Sequence, residues 1–378
     1  MPMHSGLIPR EGIKADVFAR LFASTALNPL LTLPILLLAR LTQRGENLAI
    51  LHNTALSRIR LLFYIGVARW LSSWYSSKVL NSWTTDNGYD WRGREVVLVT
   101  GGSGGIGGHV VQFLAEKGVK VVVLDIQPLT FSADNNVHYF KCDITNPKEI
   151  AAVAQEIRSA VGDPTVLINN AGVARGKTVL DSSERDVRFT FDVNTLAHYW
   201  IAKEFLPSLV KQNHGMVVTV ASVASWVTVP NMVDYAASKA AALAFHEGLS
   251  AELPTRYGAP KVRTVVVNQG YTKTPLFTGY NNSKGFLIPA LEPETVAEAI
   301  VRQVLSGRSG QVICPAFARL LPAMAALPHW YQDGMRKDGA EILPQFKGRQ
   351  VVQDLDKFYD AKDKEIEEST VLVSDASK

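Results

Sequence analysis

Short apolar runs recur along the middle of the chain, and segments with helical periodicity separate most of them. The predicted strands are Glu95–Thr100, Lys120–Asp125, Val137–Asp143, Thr165–Asn169, Gly215–Ala221, Val262–Asn268 and Gln311–Cys314. Continuous apolar strands that alternate with helices are typical of a parallel sheet covered on both faces. The pattern therefore predicts an α/β domain over residues 93–318, with a doubly wound, Rossmann-type sheet of about seven strands.

The first 92 residues have a different pattern and are predicted to form a membrane-associated helical leader. Leu21–Ala39 is uncharged over 19 residues, but Pro29 and Pro34 favour a kinked or re-entrant segment over a straight spanning helix. A second apolar stretch, Leu61–Ala68, is followed by tryptophan, tyrosine and arginine residues, which the membrane interface favours. A pair of helices packed on the catalytic domain is the alternative interpretation.

The net charge, the cysteines and the C-terminal segments give further predictions. A net charge of +4 over 378 residues argues against nucleic-acid binding as the main activity. The only two cysteines, Cys142 and Cys314, are predicted to be free thiols in a reducing compartment, and no metal site is predicted. After the α/β domain we expect an apolar and then basic appendix over 319–350 and a charged flexible tail over 351–378.

A glycine-rich run, TGGSGGIG at 100–107, directly follows the first predicted strand and opens a helix. Glycines let the backbone approach a pyrophosphate closely, and the helix N terminus attracts the anion. The predicted dinucleotide contacts here are Gly101, Ser103, Gly105, Ile106 and Gly107.

Two carboxylates follow neighbouring strands. Asp125 ends the second strand, where it can accept hydrogen bonds from ribose hydroxyls and repel a 2′-phosphate. Because the glycine run contains no arginine or lysine, NAD is favoured over NADP. Asp143 follows the third strand and can either bind the adenine or cap the turn into Thr145–Pro147.

The candidate catalytic group is Tyr235 with Lys239, which share one face of a predicted helix. A neighbouring ammonium lowers the pKa of a phenol, ordinarily about 10, so that the pair can transfer a proton. Ser222, at the end of the preceding strand, can hold the substrate oxygen, with Ser225 as its rival. Asn194 can hold Lys239 in place through a water.

Together these motifs resemble the short-chain dehydrogenase/reductase family. The resemblance rests on TGGSGGIG, Asp125, Asp143, NNAG at 169–172, Asn194, Ser222 and the YxxxK motif at 235–239. It implies hydride transfer to or from nicotinamide, with Tyr235 as acid/base, Lys239 also binding the nicotinamide ribose, and Ser222 and Asn194 completing a tetrad. It further implies cofactor contacts from Asn170, Thr272 and Thr274. Gln269 stands where the family usually has proline.

Within the family, the sequences at 194–200, 203–207 and 213–215 resemble the branch of retinol dehydrogenases and lipid-droplet 17β-hydroxysteroid dehydrogenases. That branch implies a lipophilic alcohol or carbonyl substrate and attachment to the endoplasmic reticulum or lipid droplets, with the catalytic domain facing the cytosol. It leads us to expect a substrate lid at about 275–290, and homodimers are common in the family. Phe317–Trp330 is predicted to touch a membrane, cover the substrate or pack as an ordinary helix. The alternative function is a non-catalytic dinucleotide-binding sensor or lipid-droplet protein.

Overall fold

The computed structural model describes residues 3–4, 6, 8–281, 285–342 and 345–362. The chain divides into two compact units. One lies within Ser5–Thr85, and the other contains the residues from Asp86 onward together with the extreme N terminus. This division falls after Thr85, and the domain boundary expected after residue 92 stays a prediction.

The leader consists of four helices: α1 Ala15–Ser24, α2 Pro29–Leu41, α3 Gln43–Leu51 and α4 Asn53–Leu80. α1 and α2 are bent by 47° at the break between them. Asn28 ends this break by accepting a hydrogen bond from the Leu30 amide, and Pro29 occupies the first turn, where its missing N–H costs nothing. In the described part of the chain, no single helix combines the length and apolar character needed to cross a bilayer, and α1 with α2 meets that requirement only as a bent pair.

The second unit contains a seven-stranded parallel sheet in the order β3-β2-β1-β4-β5-β6-β7. Its strands are β1 Val96–Thr100, β2 Lys120–Asp125, β3 Val137–Lys141, β4 Val166–Asn169, β5 Met216–Val220, β6 Arg263–Gln269 and β7 Gly310–Cys314. The helices are α5 Gly105–Glu116, α6 Pro147–Ala160, α7 Glu184–Phe191, α8 Ala197–Gln212, α9 Val233–Thr255, α10 Pro293–Leu305 and α11 His329–Asp338. The predicted Rossmann-type fold is confirmed, with strand ends shifted by one or two residues.

Side chains alternate between the two faces of this sheet and fill two separate cores. Leu98 and Leu167 point to the core that contains residues of α6, α8 and α9, whereas Val99 and Ile168 point to the core that contains residues of α5 and α10. Burying each such side chain stabilises the fold by about 1.5–3 kcal/mol. This doubly covered sheet is the rigid base from which the loops at its carboxyl edge project.

The chain beyond α11 differs from the prediction of a flexible tail from residue 351. Residues 355–362 are helical, and Leu355 and Tyr359 are buried against the first core. The Tyr359 hydroxyl donates to the Asp192 carboxylate at 2.6 Å. The prediction is therefore wrong for residues 351–362, because a few apolar side chains among the charges find a core surface. Residues 363–378 lie outside the described residues.

Candidate active site

A cavity of about 490 Å³ opens at the carboxyl edge of the sheet. The loops after β1, β2, β4, β5 and β6 line it, as the doubly wound fold predicts. Every predicted site residue except Gly107, Asn194 and Ser225 contributes to its wall. The structure therefore brings the predicted cofactor and catalytic residues to one place.

The glycine turn after β1 requires glycine for steric reasons. Gly101 has φ +65°, and a Cβ there would lie 2.8 Å from the Ala171 Cα. A Cβ at Gly107 would lie 2.3 Å from the Gly101 carbonyl oxygen. No side chain caps the N terminus of α5, which begins at Gly105, so its amides remain available to an anion. This bare helix end fits the diphosphate of a dinucleotide.

Asp125 at the end of β2 is tied to the glycine turn. Its carboxylate accepts hydrogen bonds from the Ser103 amide at 3.0 Å and from the Gln127 amide at 2.9 Å. Ser103 also donates its hydroxyl to the Gln127 carbonyl at 2.7 Å. Since a carboxylate offers about four acceptor sites, Asp125 can still bind ribose hydroxyls.

Asp143 adopts the turn-capping arrangement. One of its oxygens accepts from the Thr145 amide and hydroxyl, at 2.9 and 2.7 Å. The other lies 3.3 Å from the Lys362 ammonium. Asp143 also lines the cavity, so its contact with adenine stays a prediction.

Asn170 supports the glycine turn from behind. Its side-chain amide donates to the carbonyl oxygens of Thr100 and Gly101, both at 3.0 Å. The amide hydrogens are therefore committed to the protein, although Asn170 also lines the cavity. The preceding Asn169 is fully buried, and neither of its side-chain polar atoms has a hydrogen-bond partner among the described residues.

Tyr235 lies in the first turn of α9, almost completely buried in the cavity wall. Burial raises the pKa of its phenol to about 12, against a smaller lowering by the hydrogen bond with Ser222. The net shift is therefore upward, and the predicted lowering of this pKa by Lys239 stays a prediction. The phenol is protonated at neutral pH, which suits donation of a proton to a carbonyl oxygen.

The ammonium of Lys239 lies one helical turn further along α9 and donates to the Val220 carbonyl at 2.8 Å. Its Nζ is 5.9 Å from the centre of the Tyr235 ring. Burial lowers the pKa of Lys239 to about 8, because an ammonium is costly in apolar surroundings. The pair is therefore close and buried, but Lys239 bonds to the backbone at the end of β5.

The two serines after β5 have different partners. Ser222 lines the cavity, hydrogen-bonds with Tyr235 and contacts the Gln269 carbonyl at 3.3 Å. Ser225 donates to the Ser222 carbonyl at 2.6 Å and accepts a hydrogen bond from Asn268 at 3.3 Å. Ser225 thus holds the loop, and Ser222 is the better placed of the two to meet a substrate oxygen.

Asn194 lies in a π-helical turn, Asp192–Leu196, which interrupts the helices α7 and α8. Its side chain bonds both the amide and the carbonyl of Val173, at 2.8 and 2.9 Å. It also donates to the Ser238 hydroxyl at 3.0 Å, and Ser238 donates to the Tyr235 carbonyl at 2.7 Å. Ser238 was not among the predicted site residues, although it lies inside the YxxxK motif. Asn194 therefore positions the Tyr235 helix directly, and its predicted water contact with Lys239 stays a prediction.

The loop after β6 folds back over the glycine turn. Thr274 reaches within van der Waals distance of Gly105, where a Cβ would lie 3.7 Å from the Thr274 methyl. Thr272 is buried and donates its hydroxyl to the Gly270 carbonyl at 3.1 Å. Gln269 extends β6 by pairing with Cys314, and its side-chain oxygen is buried without a hydrogen-bond partner among the described residues. The loop thus keeps its place over the cavity although glutamine replaces proline.

Known proteins similar to this chain are dehydrogenases, which fits the geometry of the site. The family model described as short chain dehydrogenase matches residues 95–285. The chain belongs to the short-chain dehydrogenase family. Dehydrogenase RED2 of Cochliobolus heterostrophus is 49% identical over 199 residues, which are 52% of this chain and 75% of that protein. Estradiol 17-beta-dehydrogenase 11 of Rattus norvegicus is 32% identical over 251 residues, covering 64% of this chain and 83% of the relative.

The fold of the family is also found in solved structures. A short-chain dehydrogenase from Burkholderia cenocepacia in complex with NADP is 28% identical, with a TM-score of 0.53 over 64% of this chain and 96% of that one. As a member of the short-chain dehydrogenase family, the protein is an NAD(P)-dependent oxidoreductase that acts on CH–OH groups.

Proposed function

We propose that this short-chain dehydrogenase interconverts a lipophilic alcohol and its carbonyl compound, a retinoid, steroid or long-chain alcohol or aldehyde. The observation that carries this proposal is the buried Tyr235 phenol, hydrogen-bonded to Ser222 at the wall of a largely apolar cavity. A nicotinamide cofactor supplies or accepts the hydride when bound. The residues of the chain then have to orient the substrate oxygen and move one proton.

In the reduction direction, the Ser222 hydroxyl orients the carbonyl oxygen and the Tyr235 phenol donates its proton to that oxygen. The Lys239 ammonium lies near enough to stabilise the phenolate that this leaves. Asn194 and Ser238 hold the helix that carries both residues. In the oxidation direction the Tyr235 phenol must first give up its proton, and the resulting phenolate then accepts the proton of the alcohol.

The lipophilic substrate class is supported by the wall around Tyr235. Met232 and Ala174 are buried against the tyrosine, and the Phe277 ring contacts it edge-on at 5.3 Å. Further apolar side chains pack on this cluster, namely Val229, Leu276, Ile342 and Phe346. Such a wall binds a hydrocarbon skeleton and leaves Ser222 and Tyr235 to fix its single polar end. One relative of this chain is named an estradiol dehydrogenase.

We also propose that the leader attaches the protein to the endoplasmic reticulum or lipid droplets, with the catalytic domain in the cytosol. Within the leader helices α1–α4 the buried residues are Thr32 and Gly66, whereas large apolar side chains are exposed. Gly66 lets α4 approach the chain closely, since a Cβ there would lie 2.5 Å from the Leu27 carbonyl oxygen. Contact through small residues with apolar side chains outside is typical of helices in lipid.

We further propose that NAD is the preferred cofactor and that the protein forms a homodimer.

Replacing Tyr235 by phenylalanine tests the catalytic part. We expect kcat for a lipophilic carbonyl or alcohol to fall by roughly 10²- to 10⁴-fold, the usual contribution of a general acid or base, with cofactor binding unchanged. Tyr257→Phe, at an exposed tyrosine just after α9, is the matched control and should keep full activity. Full activity of Tyr235→Phe would remove the proposed mechanism and favour a non-catalytic role.

A further inference from the structure

The segment 345–362, here termed the C-terminal strap, crosses the mouth of the cavity. Arg349, Val351 and Phe358 of the strap line the cavity wall. The strap is held on the domain by Gln350, which accepts from Arg175 at 2.6 Å and donates to the Ala174 carbonyl at 3.0 Å. The strap thus lines the same cavity as the glycine turn, although it lies outside the family motifs.

Phe346 anchors the beginning of the described strap beside the catalytic wall. Its ring occupies the space over Gly176, where a Cβ would lie 2.1 Å from the Phe346 Cγ. Gly176 has φ +65°, so glycine is favoured there for its backbone as well. Further along, Phe358 contacts the Phe189 ring at 5.4 Å and Tyr359 donates to Asp192. The path of the strap is therefore fixed on both sides of Arg349.

Arg349 bridges the loops that flank the glycine turn. Its amide donates to the Pro275 carbonyl at 2.7 Å, directly after Thr274, which lies beside Gly105. Its guanidinium donates to the Gln127 side chain at 3.1 Å, two residues after Asp125. The side chain therefore runs from the loop after β6 to the loop after β2, along the edge where the bare N terminus of α5 opens.

The charge of Arg349 has no equivalent at this end of the cavity. Among the described residues that line the cavity, Lys239 and Arg349 are the two cations, and Lys239 belongs to the Tyr235 end. The glycine turn itself contains no cationic side chain. One guanidinium N–H goes to Gln127, and the four others can donate to phosphate oxygens.

We propose that Arg349 is a cofactor-binding residue, which closes the dinucleotide site by donating to a phosphate group of the bound nucleotide. This inference rests on the proposed dehydrogenase function. Two phosphates have the required chemistry, the diphosphate that NAD and NADP share and the 2′-phosphate that NADP alone carries. In the second case Arg349 opposes the preference for NAD that Asp125 sets.

The test measures Kd for NADH and NADPH by nucleotide fluorescence, without substrate, in the full-length protein. In Arg349→Gln we expect Kd to rise about tenfold, the loss of one charge-assisted hydrogen bond, and the difference to shrink at high salt. An equal rise for both nucleotides assigns Arg349 to the diphosphate, and a rise for NADPH alone assigns it to the 2′-phosphate. Unchanged Kd for both nucleotides overturns the proposal.

Lys357→Ala is the matched control, because it removes one positive charge from an exposed position on the same strap. It should leave both Kd values unchanged, and an equal weakening by Lys357→Ala would show that only the net charge of the strap matters and would also overturn the proposal. Thermal unfolding of each variant confirms that the strap stays folded. Since no substrate is present, a protein that binds nucleotide but turns over no lipophilic substrate would contradict the proposed function and leave the role of Arg349 intact.

Discussion

The leader and the dehydrogenase domain use apolar side chains in opposite ways. In the domain, Leu98 and Leu167 are fully buried and belong to one continuous core on one side of the sheet. In the leader, Leu30 is 80% exposed and Leu38 is 60% exposed, while the buried positions of its helices are Thr32 and Gly66. The difference shows that an apolar segment can be buried in a protein core or exposed on the surface, and that apolar composition alone does not distinguish the two.

The two patterns are consistent with the proposal that the leader contacts lipid and the domain contacts water. A domain that folds in water hides its large apolar side chains, and exposed apolar surface of this extent marks contact with a partner or a lipid phase. Because the basic residues Arg40, Arg58 and Arg60 lie among the exposed leucines of α2 and α4, anionic lipid headgroups fit the same surface. The comparison therefore predicts that substitutions in the two regions change different measured quantities.

The largest effect should come from placing charges on the leader. In the double variant Leu30→Glu with Leu38→Glu, we expect membrane association to fall by more than 100-fold. The reason is that each leucine side chain that enters the lipid phase contributes about 1.5–3 kcal/mol to the free energy of association. Vesicle flotation measures the association, and dehydrogenase activity on a water-soluble substrate should not change. Leu180→Glu is the control, because Leu180 is 96% exposed but belongs to the domain. Undiminished flotation of the double variant would break the comparison.

Two matched leucine-to-alanine substitutions, one in each region, should change the free energy of unfolding of the domain by different amounts. Leu167→Ala creates a cavity beneath the sheet and should lower the free energy of unfolding of the domain by about 2–5 kcal/mol. Leu38→Ala should change it by less than about 0.5 kcal/mol, as exposed substitutions usually do. Denaturant unfolding of the domain measures both. A similar loss in both variants would mean that the leader supports the domain's stability.

A smaller loss of stability should follow from a substitution in the strap. The prediction of a flexible tail had assigned no structure to this segment. Tyr359→Phe removes the hydrogen bond from the hydroxyl to the Asp192 carboxylate. We expect the domain to lose about 1.5–3 kcal/mol of stability, the range for hydrogen bonds to charged groups. Hydrogen exchange over residues 350–362 should show faster exchange in the variant. Identical exchange and stability would argue that the strap does not pack on the domain in solution.

The sequence predicted the parts of the site that local patterns encode. The glycine turn and Asp125 each combine a short motif with a position at a strand end, and Tyr235 and Lys239 share one face of the helix that follows β5. The strap was missed because its contacts join residues 350–359 to residues 174–192, and a few apolar side chains in a charged segment show no periodicity. Burial shifts the Tyr235 pKa upward, against the predicted effect of Lys239, and the degree of burial cannot be read from the spacing of a motif.

The smallest effect concerns the dehydrogenase domain itself, where the His214 ring lies between Asp86 at 2.6 Å and Glu95 at 3.3 Å. The hydrogen bond to Glu95 raises the pKa of His214, burial lowers it, and Asp86 raises it further, so that the net shift is upward. Arg94, the other charged group facing the ring, lies 2.8 Å away. Stability from protonated His214 should be fully present below the imidazole's unfolded pKa, about 6.5, and be lost as pH rises through the folded value.

The free energy of unfolding should therefore decline with increasing pH above neutrality in the wild-type domain, and His214→Gln should remove that part of the decline. His52→Gln in the leader is the control and should keep the wild-type slope. Denaturant unfolding from pH 6 to 9 measures the slope, and vesicle flotation over the same range should show no change due to His214. If the His214→Gln variant kept the wild-type slope, protonation at the start of the domain would have no part in its stability. If flotation followed the titration of His214 instead, the domain boundary would take part in lipid attachment, and the two regions would not be separate in function.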